Sequence, residues 1–82
     1  MTRDEIRQAV LDIILEANDE IDATNLDDTA QLRDALGLDS MDFLDIVLGL
    51  RKRFRIDIPE ADYPNFRTMQ GSVDYLAERL GK

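Results

Sequence analysis

The chain contains no histidine and no cysteine, so it lacks the usual general base, the thiolate nucleophile and the commonest transition-metal ligands. One hydroxyl nevertheless occupies a chemically useful place. Ser40 follows Gly37, Leu38 and Asp39 and precedes Met41, where a loop ends and the longest apolar stretch begins. Gly37 permits a tight approach of the backbone, and Asp39 is a favoured N-cap residue with Asp42 three positions on. Ser40 is then expected in the first helical turn, where unpaired amide groups and the positive end of the macrodipole favour an anion. A phosphate ester on Ser40 suits that position. Hydrolysis does not, because a serine nucleophile needs an adjacent base and an oriented third group, and without histidine the common arrangement cannot be assembled.

The element that must hold Ser40 is a helix over 41–54. At about 100° per residue, Phe43, Ile46, Val47, Leu50 and Phe54 share one face and form the expected core stripe. Met41, Leu44 and Leu48 lie on a second stripe alongside Asp42 and Asp45. That stripe is either covered by another element of the same domain or exposed for a partner, since exposed apolar stripes rimmed by charge mark interfaces.

The remaining elements frame this helix. Thr2 and Glu5 have capping-box spacing, and Ile6, Ala9, Val10, Ile13, Ile14 and Ala17 recur at helical intervals, so a first helix is expected over about 3–17, with Leu11 and Leu15 widening its apolar stripe. Residues 18–39 form a long acidic loop with Ile21, Leu26, Leu32, Ala35 and Leu36 as apolar anchors and a helical turn near 31–36. Its acidity does not make an EF-hand: counting from Asn18, the glycine position holds Ala23 and the bidentate glutamate position holds Thr29. Beyond the central helix, Ile56, Asp57 and Ile58 are extended, and Pro59 and Pro64 bracket one short helical segment around 60–63. Tyr63 and Phe66 are expected as core plugs. Thr68 caps a final helix whose Met69, Val73, Leu76, Ala77 and Leu80 share a face, and Gly81 supplies its stop. The expected fold is all-α, a small bundle of three main helices plus one short helix with a long loop between the first two, in one domain over residues 1–82.

At 82 residues, 44% hydrophobic and 34% charged, the chain has room for one modest core. No apolar run approaches the roughly 20 residues that cross a membrane. The first residues lead straight into an amphipathic helix, so the expected compartment is cytoplasmic. A net charge of −8 disfavours nucleic acid and anionic lipid surfaces and favours partners with basic patches. No metal site is expected, and a monomer is.

Leu36, Gly37, Leu38, Asp39, Ser40, Met41 and Asp42 resemble the L-G-x-D-S-[LM]-[DE] signature of the acyl carrier protein family. Phe54, Ile56, Ile58 and Pro59 continue the likeness, as do the length and acidity, so that it covers nearly the whole chain. The resemblance implies a non-enzymatic carrier with 4′-phosphopantetheine on Ser40, installed by a phosphopantetheinyl transferase, with Asp39 shaping the helix start. It implies a docking face at Met41, Asp42, Leu44, Asp45 and Leu48 for acyl-transfer, ligase or synthase enzymes with basic patches. It further implies an acyl pocket lined by Phe43, Ile46, Val47, Leu50, Ile58, Phe66 and Met69, and service in fatty acid, lipid or polyketide-type biosynthesis. Aminoacyl and peptidyl carriers share the serine logic, and an acidic interaction module without cofactor is the competing class. The departure from the family pattern is the basic run Arg51, Lys52, Arg53 and Arg55 at the end of the central helix, which points to a dedicated pathway.

Overall fold

Helix α1 (Arg3–Ala17) begins where its capping box puts it: the Glu5 N–H donates to Thr2 Oγ1 at 3.1 Å and the Thr2 N–H donates back to Glu5 Oε1 at 2.7 Å. The hydrogen bond from the Thr2 backbone also holds the Glu5 carboxyl below the usual range. The computed structural model describes residues 2–18, 20–21 and 26–80, and its further elements are α2 (Leu32–Leu36), α3 (Ser40–Phe54), a 3-10 helix (Glu60–Phe66) and α4 (Met69–Arg79). Three main helices and a short one form the bundle, and α2 is the helical turn within the long loop. No strand occurs among the described residues. Ala23, at the glycine position of an EF-hand count, and Gly81, the expected stop of the last helix, lie outside them.

The core forms where the apolar stripes meet. Ile6, Val10, Ile13 and Ile14 of α1 pack with Ile46, Val47 and Leu50 of α3, with Met69, Val73 and Leu76 of α4, and with Leu32, Leu38, Ile58 and Phe66 from between the helices. Helices α1 and α3 approach closely at Gly49, where a Cβ would stand 2.8 Å from Ile13 Cγ2. Leu11 is half-buried beside this core, but Leu15 is exposed. It therefore does not widen the buried stripe as expected.

Much of what fixes the connections is long-range. Arg7 on α1 donates from Nε and Nη2 to the Asp28 carboxylate at 2.8–3.1 Å, while the Asp28 carbonyl accepts from the Gln70 N–H at 2.9 Å. One loop residue thereby ties α1 to the start of α4. The Leu32 N–H donates to the Arg67 carbonyl at 2.7 Å, beside a bridge between Gln31 and Thr68. Ile21, Leu26 and Leu36 are half-buried and Leu32 is buried, whereas Ala35 is exposed and anchors nothing.

The 3-10 helix runs through Pro64 to Phe66 rather than stopping before the proline. A short 3-10 segment tolerates proline, whose fixed φ suits it and whose missing N–H removes one bond only. Asp62 fastens this segment to α4, accepting from the Tyr75 hydroxyl at 2.7 Å and from Arg79 Nη2 at 3.1 Å. Burial, helped by this bond to Asp62, raises the Tyr75 hydroxyl above its usual pKa. Arg79 also lies 4.7 Å from the Tyr75 ring centroid, and Tyr75 meets Phe66 edge to face at 5.0 Å. Thr68 caps α4 by accepting the Gly71 N–H at 2.9 Å.

Candidate functional site

Ser40 is the first residue of α3, and the segment before it is locked from both sides. Gly37 takes the left-handed conformation (φ 68°, ψ 32°) that closes α2, a conformation in which a Cβ is strained. Leu38 then buries its side chain and donates its N–H to the Arg33 carbonyl at 3.1 Å. Asp39 caps α3, its Oδ1 accepting the Asp42 N–H at 2.8 Å. The return bond from the Asp39 N–H to Asp42 Oδ2 is longer, at 3.5 Å, and weaker accordingly.

This arrangement presents Ser40 exposed to solvent. Asp39 takes up the Asp42 and Phe43 amides through its side chain and carbonyl. The Ser40 and Met41 amides, the first two of the helix, have no partner within it by construction. They are available to the oxygens of a phosphate on the Ser40 hydroxyl, at the end where the dipole favours negative charge.

Beside Ser40 opens a cleft of about 480 Å³ between α2, α3 and the 3-10 helix, lined by Gln31, Leu32, Arg33, Phe43, Leu44, Tyr63, Pro64 and Arg67 as well as Ser40 itself. Its size falls within the range typical of small-ligand sites. Phe43 and Tyr63 meet across it edge to face with centroids 6.3 Å apart. The residues therefore fit an attached pantetheine arm: an accessible hydroxyl, free amides for a phosphate on it and an apolar trough next to Ser40.

Of the seven residues expected to line an acyl pocket, the structure brings only Phe43 to this cleft. Ile46, Val47, Leu50, Ile58, Phe66 and Met69 are all buried within the closed core. The second stripe of α3 is uncovered: Met41, Leu44 and Leu48 are 71%, 44% and 48% exposed. Asp45 is exposed beside it and Asp42 half-buried. At the far end, Arg51, Lys52 and Arg53 form the last turn of α3 and Arg55 closes it in a left-handed conformation (φ 55°). Arg51 pairs with Asp57 at 3.6 Å. Leu32, Arg33, Pro64 and Arg67 were not singled out as site residues, because no periodicity connects them to Ser40. The tie between Leu32 and Arg67 brings the two stretches that carry them together.

Residues 4–76 match the family described as "Phosphopantetheine attachment site". The chain is 30% identical over 79 residues to the acyl carrier protein of Chlorobium luteolum, covering 96% of this chain and 100% of that one. It is 36% identical over 58 residues to the acyl carrier protein of Onion yellows phytoplasma, covering 71% and 76% of the two chains. Among solved structures, an acyl carrier protein from Enterococcus faecalis superposes with a TM-score of 0.74 at 33% identity, over 95% of this chain and 98% of that one.

Proposed function

This chain belongs to the acyl carrier protein family, whose phosphopantetheine attachment region it contains, and from that premise we propose that Ser40 is the attachment residue. A member of this family is a carrier and not an enzyme. The observation that supports Ser40 is its position: an exposed hydroxyl at the head of α3, with free amides on one side and the cleft on the other. When bound, the arm supplies the thiol that holds an acyl group as a thioester.

The residues of this chain divide the remaining work. Asp39 and Asp42 hold the turn so that Ser40 Oγ stays accessible to a phosphopantetheinyl transferase. Met41, Leu44 and Leu48, with Asp42 and Asp45 beside them, form the docking face for that transferase and for acyl-transfer, ligase or synthase enzymes bearing basic patches. An acyl chain first meets Phe43 in the cleft, and reaches the core around Ile46, Val47, Leu50, Ile58, Phe66 and Met69 only when α3 and the 3-10 helix separate. The basic end of α3 supports service in a dedicated pathway of fatty acid, lipid or polyketide-type biosynthesis, with a cytoplasmic monomer as the working form.

The reading is tested by intact mass after incubation with coenzyme A and a broad-specificity phosphopantetheinyl transferase. One phosphopantetheine addition is expected, and an unchanged mass overturns it. Docking is tested separately with Leu44→Ala and Asp45→Lys. Both are surface changes, expected to move stability by about 0.5 kcal/mol or less. Loss of an interface anchor or reversal of a docking charge lowers transferase or synthase turnover by roughly tenfold or more. Parental turnover in both variants would place recognition on another surface, and unfolding of Leu44→Ala would show that the stripe is internal.

A further inference from the structure

In a chain with 18 acidic residues among 82, none of the nine residues lining the cleft at Ser40 is acidic, and two are arginines. Other depressions on the surface do carry acid: Asp12 and Glu16 beside Lys52 and Arg53, Glu16 and Asp45 beside Gly49, and Asp57 beside Arg51. Arg3, Arg7, Arg51 and Arg79 are each paired with a carboxylate. Arg33 and Arg67 make no salt bridge among the described residues, although the Leu32 N–H···O=C Arg67 bond makes their backbones neighbours. The acids next to Ser40 are engaged elsewhere, Asp39 in capping α3 and Asp42 in the return bond.

Two arginines among the residues lining one apolar trough, with no acidic residue lining it, make a candidate site for an oxyanion, which a guanidinium binds through paired N–H donors. We infer that Arg33 and Arg67 hold an oxyanion in the cleft, either the phosphodiester of the arm or a carboxylate at the far end of the cargo, with Phe43, Leu44 and Tyr63 packing the aliphatic stem between. The inference rests on the carrier reading of Ser40 and deepens it by naming the class of group the cleft receives.

The experiment compares the unmodified protein, the protein bearing the free arm, and the protein loaded from coenzyme A thioesters with valeryl or glutaryl groups, which have the same chain length but end in a methyl or a carboxylate. Thermal midpoints and arginine Nε resonances are recorded for the parent, Arg33→Gln, Arg67→Gln and the double variant. If the cargo supplies the oxyanion, the glutaryl form of the parent melts above the valeryl form by roughly 4 °C or more, the Nε resonances move only with glutaryl, and the difference vanishes in the double variant. If the arm supplies it, the Nε resonances move on attachment of the free arm, and the two cargoes melt alike. Midpoints and resonances indifferent to both arginines in every loaded form overturn the inference while leaving the carrier reading intact. A parent that accepts no arm overturns the carrier reading and this inference with it. Should a glutamine variant fail to fold, the parent is compared between about 0.05 and 1 M salt, where screening tightens from roughly 14 to 3 Å. A glutaryl advantage, or a free-arm shift, that survives 1 M salt overturns an ionic contact.

Discussion

Ser40→Ala is expected to abolish phosphopantetheine loading completely while leaving the helical circular dichroism of the parent. The phosphodiester requires an oxygen on that side chain, and alanine offers none, so the effect is all or nothing rather than a graded loss. Folding has little reason to respond. The Ser40 hydroxyl makes no hydrogen bond among the described residues, the cap of α3 comes from Asp39, and the side chain is exposed. Alanine is also the better helix former, so stability should stay within about 0.5 kcal/mol of the parent. The other described serine and threonine hydroxyls are occupied: Thr2 and Thr68 cap helices, Thr29 donates to Asp27, and Ser72 is buried and donates to the Thr68 carbonyl. Intact mass of the variant after transferase treatment decides the matter, and any retained addition would move the attachment point away from Ser40.

Phe66→Ala is expected to have the largest effect on folding. Phe66 is 1% exposed, closes the 3-10 helix, and stacks edge to face on Tyr75. Truncating a buried phenylalanine costs about 3–5 kcal/mol through lost transfer energy and the cavity left behind. Domains hold only about 5–15 kcal/mol in total, and one of 82 residues has a small core from which to draw. A denaturant titration should therefore show the midpoint falling by a third or more, with the variant partly unfolded at ambient temperature. A loss under about 1 kcal/mol would mean that the 3-10 helix is a surface flap rather than a wall of the core.

The two variants separate what was legible in the sequence from what was not. Ser40 and the boundaries of α1, α3 and α4 rest on signals within four residues: capping pairs at Thr2 and Glu5 and at Asp39 and Asp42, the cap at Thr68, and apolar recurrence at three and four residues. Backbone hydrogen bonding imposes those intervals wherever a helix forms, so they show in a linear chain. The two-sided character of α3 was visible in the same way, and the exposure of Met41, Leu44 and Leu48 shows that no other described element of the chain covers the second stripe. Leu15 and Ala35 misled because a single apolar residue beside a stripe carries no information about which way the neighbouring element lies. The links between Arg7 and Asp28, between Tyr75, Asp62 and Arg79, and between Leu32 and Arg67 join residues 13 to 35 positions apart. No periodicity encodes such pairs, and the cleft wall that Leu32 and Arg67 share was correspondingly invisible.

The double tie at Asp28 has a kinetic side. The stretch carrying Leu32 and Arg33 is held to the bundle by the buried Leu32 and Leu38 side chains and by three polar ties: the Arg7 ion pair, the Gln70 N–H to Asp28 and the Leu32 N–H to Arg67. Most of the core lies on α1, α3 and α4, so opening of this stretch, which exposes Leu32 and Leu38, is expected to cost less than global unfolding. Weakening the tie between Arg7 and Asp28 is expected to raise the opening rate of that stretch without altering Ser40 or the exposed stripe of α3. Its signature is amide exchange at Leu32 and Gln70 faster than at Val10 and Leu50, and equal protection at all four would mean that the wall opens only when the whole bundle does.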